Sequence, residues 1–236
     1  MSIDIHVRVK SAGLTLPITR HGSRPNFGIS SLLGGYAQKR DQQDKVVLSD
    51  INFELNNGDR LGLIGKNGAG KTTLLKLIGG VYLPEEGTVE TSGNILSLIN
   101  MNIGFNQEAT GAENIILRGI SLNQPINEIT KKIPEIAEFA ELEKELNFPL
   151  YTYSAGMKAR LSFSIMMAAE PEILLLDEWL GRGDAQFQKK AANRITEFVS
   201  KAGIVVLASH NQRLIEATCN RIIRLDQGKI ISDEII

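Results

Sequence analysis

The residues best suited to chemistry lie at positions 65–72, which read GKNGAGKT. This run matches the pattern G-x-x-x-x-G-K-[ST], in which glycines let the backbone bend around phosphate oxygens and point N–H groups at them. An apolar stretch at 60–64 indicates a buried strand, and apolar periodicity over 72–78 predicts a helix that Gly79 and Gly80 end. A phosphate-binding loop between a strand and a positively polarised helix start is therefore predicted.

Two side chains of this loop have the chemistry to contact a nucleotide and its metal ion. We expect the Lys71 ammonium to reach the β- and γ-phosphates and the Thr72 hydroxyl to bind Mg²⁺. The other predicted nucleotide-binding residues of the loop are Gly65, Asn67, Gly68, Gly70 and Thr73.

Two further apolar runs end in polar residues. Residues 173–177 read ILLLD, which is typical of a strand buried on both faces with an acid at its carboxyl end. Asp177 can hold Mg²⁺ there, and Glu178 can orient or deprotonate the water that attacks the γ-phosphate. Residues 204–210 read IVVLASH, so His210 follows a second buried strand and can contact the γ-phosphate.

Ser154 precedes an amphipathic helix predicted over 157–169. A serine is a good N-cap, and the unpaired N–H groups that follow it can bind an anion. On these residues alone, a cap without a ligand is the simpler interpretation.

The composition limits the classes of protein that fit. The chain has 236 residues, 42% apolar and 22% charged, with a net charge of −1, so no overall field favours nucleic acid or an anionic membrane. Cys219 is the single cysteine, which excludes an internal disulfide. No apolar run approaches the ~18 residues of a membrane span, and the N-terminus has no signal-peptide pattern. We expect a cytosolic protein that reaches a membrane only through a partner.

The remaining pattern predicts one α/β domain over residues 1–236. Alternating apolar residues at 3–9 and 46–55 predict strands of an N-terminal antiparallel sheet, whereas 11–44 reads as irregular, with one or two helical turns at 29–33. An inserted helical subdomain is expected at about 101–165. It includes helices at 113–118 and 126–142, the second interrupted by Pro134. Two last strands, 221–225 and 229–232, form a hairpin.

Together, the phosphate loop, the acid pair and His210 resemble the nucleotide-binding domain of ABC ATPases, from about Val46 to the C-terminus. Residues 154–157, SAGM, stand where that family has Ser-Gly-Gly-Gln, and Gly183-Asp184 stand at its loop aspartate. The fold class implied is an ABC ATPase core with an antiparallel β subdomain and a helical subdomain.

Within the family, the chain is similar to ATPases that export O-antigen, capsule and related polysaccharides. That subgroup tends to have Tyr-Ser-x-Gly-Met at the signature, as at 153–157, and Thr-Gly-x-Glu-Asn-Ile, as at 110–115. Residues 183–188, GDAQFQ, look like its version of the loop after the acid pair. The resemblance implies export of a lipid-linked polysaccharide across the bacterial inner membrane.

The resemblance also implies cofactors and partners. ATP and Mg²⁺ would bind a head-to-tail homodimer, each ATP lying between Lys71, Thr72 and Asp177 of one copy and Ser154 and Gly156 of the other. The dimer would act on a polytopic permease through the helical insert, at the cytoplasmic face of the inner membrane.

Three family features have no secure counterpart. The glutamine that senses Mg²⁺ could be Asn100, here also a predicted metal residue, or Gln107. No aromatic residue stands in register to stack on adenine, and Tyr36 is the nearest candidate. A C-terminal carbohydrate-binding domain is not expected because the chain stops at Ile236.

Two other functions use the same loop. A non-transport ABC ATPase acting on DNA or ribosomes would usually carry coiled coils or tandem ATPase domains, and neither pattern is present. A kinase would not need the signature-like segment or Glu178. We therefore expect no nucleic-acid partner.

Overall fold

A computed structural model describes residues 4–19, 42–99, 104–177 and 185–236. The predicted helical turns at 29–33, and the predicted site residues Tyr36, Asn100, Glu178 and Gly183-Asp184, lie outside the described residues.

The described residues form the following strands and helices. In chain order the strands are β1 His6–Thr19, β2 Gln42–Asn56, β3 Arg60–Ile64, β4 Glu86–Ser92, β5 Ile95–Ser97, β6 Ile173–Asp177, β7 Ile204–Ala208, β8 Arg221–Asp226 and β9 Lys229–Ile235. The helices are α1 Lys71–Ile78, α2 Gly111–Ser121, α3 Ile126–Ala140, α4 Ala155–Met167, α5 Ala185–Lys201 and α6 Gln212–Thr218.

Six strands form the main sheet in the order β5-β6-β7-β3-β8-β9. All neighbours pair in parallel except the hairpin β8–β9. In β6, Ile173 and Leu175 pack into a cluster with α1 and the antiparallel sheet, whereas Leu174 and Leu176 pack with α4, α5 and α6. The predicted burial of this strand on both faces is confirmed.

The antiparallel sheet has the order β2-β1-β4. The prediction of an irregular segment over 11–44 was wrong at both ends, because β1 and β2 extend into it. Ser11 and Asp50 have positive φ angles of 46° and 51°, and the β1–β2 register shifts three times between Val9 and Thr15. Such bulges break the two-residue alternation by which a strand is recognised in a sequence.

The helices α2, α3 and α4 share a separate cluster of buried side chains that includes Ile115, Ile129 and Leu161. Helix α3 continues through Pro134, so the predicted interruption was wrong. The buried residues Ile136 and Ala140 lie beyond the proline, and their packing offsets the one backbone hydrogen bond that it removes. Helix α6 was not predicted, since it spans only seven residues.

None of the helices in the described part of the chain has the length and apolar content that a bilayer crossing requires.

The side chain of Asn114 connects the first turn of α2 to residues 106–110 by hydrogen bonds. The side chain is fully buried. Its Oδ1 accepts from the N–H of Asn106 at 2.9 Å, and its Nδ2 lies at 2.9 to 3.1 Å from the carbonyls of Asn106, Ala109 and Thr110. Thr110 and Glu113 add a capping box at the same turn. The clamp therefore orders residues 106–110 against α2.

We expect Asn114→Ala to lower the free energy of unfolding by about 2 to 3 kcal/mol, because it removes a fully buried side chain together with its four hydrogen bonds to the backbone. The exposed Asn147→Ala is the matched control and should change stability by less than about 0.5 kcal/mol. Urea unfolding measures both, and equal midpoints for the two variants would contradict the clamp.

Candidate nucleotide site

Two glycines let the loop between β3 and α1 pack closely against neighbouring strands. Gly70 is the N-cap of α1 with φ 110°, and an added Cβ would lie 2.9 Å from Leu48 Cδ2. At Gly65 an added Cβ would collide with the carbonyl oxygen of Leu225. The loop therefore packs against β2 and β8 as a fixed structure rather than as a loose turn.

Lys71 is buried, and its ammonium lies inside this loop. The Nζ donates to the carbonyl of Gly65 at 2.7 Å and to that of Lys66 at 3.3 Å. Because Gly70 has no capping side chain, the N–H groups of the first turn of α1 remain available to an anion. The ammonium and these N–H groups lie together at the N-terminus of α1, which is the chemistry expected of a triphosphate site.

Thr72 of α1 and Asp177 at the end of β6 are in contact. The hydroxyl of Thr72 donates to Oδ2 of Asp177 at 2.7 Å, although the residues are 105 positions apart. A hydroxyl beside a carboxylate is an oxygen donor set that fits Mg²⁺, which usually takes its remaining ligands from water and phosphate. No group of three or more acidic, His or Cys side chains in the described ranges could hold a metal by itself.

The sheet order explains why these residues meet. Strand β7 lies between β3 and β6, and Leu63, Ala208 and Asp177 stand in one row of the register. Beyond that row, Ser209 is buried, donates its N–H to the carbonyl of Leu63 at 3.3 Å and accepts from the N–H of Asn211 at 3.1 Å. His210 follows as an exposed residue, at the edge that also carries the phosphate loop and Asp177.

The first turn of α4 is a separate, solvent-facing feature. Ser154 is its N-cap, and its hydroxyl accepts from the N–H of Met157 at 3.2 Å. Ser154 and Gly156 are exposed, and a Cβ added at Gly156 would meet only Ser154 Oγ, at 3.9 Å. The predicted N-cap is confirmed, and the turn is open to a ligand or a partner.

Tyr153 explains why two of the sequence motifs occur together. Its buried hydroxyl donates to the carbonyl of Glu145 at 2.6 Å, and a Cβ added at Gly111 would collide with it. Burial, with a smaller effect of the Glu145 charge, raises the pKa of Tyr153, so the hydroxyl stays protonated and donating. The motif at 153–157 therefore needs the glycine of the motif at 110–115, which sequence inspection did not reveal.

Gln107 lies against α4. Its Oε1 accepts from Lys158 Nζ at 2.7 Å, and its carbonyl accepts from the N–H of Tyr151 at 2.9 Å. With Asn100 outside the described residues, the choice between the two for the Mg²⁺-sensing role stays a prediction.

Comparison with known proteins gives the family. The sequence model described as "ABC transporter" matches residues 48–181. The O-antigen export system ATP-binding protein RfbE of Yersinia enterocolitica is 43% identical over 188 residues, which cover 80% of this chain and 79% of that protein. The chain belongs to the ABC transporter family.

Other relatives fit this assignment. An O-antigen export system ATP-binding protein of Klebsiella pneumoniae is 37% identical over 78% of this chain and 75% of its own length. A teichoic acids export ATP-binding protein of Lactococcus lactis is 38% identical over 200 residues. The match covers 85% of this chain and 42% of that longer protein. The chain is thus an ABC-type ATPase, as predicted.

The fold class is confirmed by solved structures. An ATP-binding cassette determined as a dimer in a post-hydrolysis state with ADP and Pi superposes with a TM-score of 0.69. The match covers 97% of this chain and 98% of that one at 20% identity.

Lys71→Ala should weaken ATP binding at least about ten-fold, because the ammonium is held inside the loop that is predicted to receive the phosphates. Lys76→Ala, at the other end of α1, is the control and should bind ATP like the wild type. Titration with a fluorescent ATP analogue measures both, and equal affinities for the two variants would reject this role for Lys71.

Proposed function

We propose that this chain is the ATP-hydrolysing subunit of a bacterial exporter for a lipid-linked polysaccharide of the O-antigen or teichoic acid kind. The observation that carries the proposal is the 43% identity to an O-antigen export ATPase over most of both chains. The contact of Tyr153 with Gly111 supports it, since it joins two motifs that resemble those exporters.

The ATP site in this proposal is shared between two copies. One copy supplies Lys71 for the β- and γ-phosphates, with Thr72 and Asp177 holding Mg²⁺. Its partner supplies the open first turn of α4, at Ser154 and Gly156. The solvent exposure of that turn supports the arrangement, since the described hydrogen bond of Ser154 stays within its own helix. The metal, when bound, neutralises charge on the β- and γ-phosphates.

Hydrolysis would use residues at the carboxyl edge of the sheet. Glu178, directly after Asp177, would orient or deprotonate the attacking water, and His210 would contact the γ-phosphate from the end of β7. Loss of the γ-phosphate removes contacts that favour the closed dimer, so hydrolysis would reopen it.

The partner needed for transport would be a polytopic permease, which places this chain at the cytoplasmic face of the inner membrane. Its relatives are ATP-binding proteins of O-antigen export systems, which supports this partner. The substrate would be recognised by the permease or through its lipid carrier.

Deletion of the gene should remove a polysaccharide from the cell surface and leave polymer inside the cell. Gel analysis of surface and intracellular glycan measures this. Complementation with the wild-type gene should restore the surface glycan, whereas the Lys71→Ala gene should not. Normal surface glycan in the deletion strain would overturn the proposed substrate class and leave the ATPase assignment intact.

A further inference from the structure

Three helices meet around a cluster of phenylalanine rings. Phe139 belongs to α3, Phe163 to α4 and Phe187 to α5. The rings of Phe139 and Phe163 stack with centroids 6.1 Å apart, and Phe187 meets them edge-on at 6.1 and 5.7 Å. Phe187 is buried and is the third residue of α5. It therefore connects the helix that packs on the main sheet with two helices of the helical region.

Charged side chains also join α3, α4 and α5 beside the phenylalanine rings. Glu141 ends α3 in the left-handed conformation with φ 57°, and its carboxylate lies 3.4 Å from Arg160 of α4 and 3.7 Å from Lys190 of α5. Lys190 Nζ also donates to the carbonyl of Phe139 at 2.9 Å and lies 4.5 Å from the centroid of its ring. We call these six residues the three-helix junction: Phe139, Glu141, Arg160, Phe163, Phe187 and Lys190.

The junction lies in the middle of α4. The N-terminus of this helix carries the signature residue Ser154, and its C-terminus is held by hydrogen bonds from α3 and α5. Ser154 is nine residues before Phe163 (163 − 154), or about 14 Å along the helix axis. At the other end, Lys132 of α3 donates to the carbonyl of Ala168 at 2.8 Å, and Arg194 of α5 donates to that of Met167 at 3.5 Å. The direction of α4, and with it the position of Ser154, is set by α3 and α5.

In the chain, helix α5 follows the acid pair Asp177-Glu178. Seven residues, 178–184, join Asp177 at the end of β6 to Ala185 at the start of α5, and the first of them is Glu178. Phe187, ten positions after Asp177 (187 − 177), is the residue of α5 whose ring contacts α3 and α4.

We infer that the three-helix junction is a positioning element for ATP hydrolysis, in which Phe187 and Lys190 of α5 hold the signature helix α4 in a fixed relation to α5 and to the sheet on which α5 packs. The inference rests on the shared ATP site proposed above. Interlocking rings in a packed interior adopt discrete arrangements rather than sliding, so the two parts keep one relation or change together. None of the six residues is proposed to touch the nucleotide.

Lys190 is the best residue for a test. It makes three contacts at the junction, yet it is partly exposed, and its ion pair with Glu141 contributes little to folding at such a site. Lys189 is its exposed neighbour on the same helix, so Lys189→Ala is a matched control. Lys190→Arg keeps the charge and tests for rescue.

Steady-state ATPase assays on the purified full chain, with ATP affinity and melting temperature measured in parallel, provide the readouts. We expect Lys190→Ala to lower kcat by roughly 3- to 30-fold, the range for disrupted coupling between sites, with KM and ATP affinity changed less than about two-fold. Lys190→Arg should recover at least about half of kcat. Lys189→Ala should match the wild type. Phe187→Leu, which preserves most of the volume, should lower kcat in the same way.

The outcomes separate the two proposals. A Lys190→Ala kcat equal to that of Lys189→Ala would overturn the junction while leaving the proposed function intact. A kcat loss matched by an equal loss of folded protein would do the same. If the wild-type chain showed no ATPase activity, or if Lys71→Ala kept it, the proposed function would fail and the junction with it.

Discussion

The hydrogen bond between Thr72 and Asp177, at 2.7 Å, is the contact on which the account of the site depends. It joins the last residue of the phosphate-loop motif to the end of β6, and it forms only because β7 lies between β3 and β6 in the correct register. That register in turn requires strands apolar on both faces, covered by α1 on one side and by α5 and α6 on the other. The packing of the core therefore fixes the positions of the Thr72 hydroxyl and the Asp177 carboxylate.

The second half of the proposed ATP site is the first turn of α4, with Ser154 and Gly156. The first turn of α4 is exposed to solvent, and its position depends on the helices and segments that contact α4 as well as on the packing of α4 against β6. Tyr153 packs against Gly111 at this end of the helix, and the three-helix junction holds the middle of α4. Asn114 orders residues 106–110, of which Gln107 accepts a hydrogen bond from Lys158 of α4. A helix start held this firmly and left open to solvent suits a ligand brought by a partner, since little ordering remains to be done on binding.

Much of this arrangement could be predicted from the sequence, because the decisive signals are local. The glycines before Lys71 indicate the phosphate loop. The apolar run ending at Asp177 indicates a buried strand with an acid at its carboxyl end. The bulged β1 and β2 were missed, since Ser11 and Asp50 interrupt the alternation. Pro134 suggested a break that tertiary packing overrides. The contacts of Tyr153 with Gly111 and of Phe187 with Phe139 join residues far apart in sequence, and no local pattern encodes such pairs.

The central claim, a site shared between two copies, is tested most directly by mixing two inactive variants. Lys71→Ala removes the phosphate-loop half of each site and Ser154→Arg the signature half, so neither homodimer should hydrolyse ATP. In an equal mixture, half of the dimers are mixed, and each has one intact site of two, so about a quarter of the wild-type activity should return. A mixture no more active than the two variants measured separately would contradict the shared site.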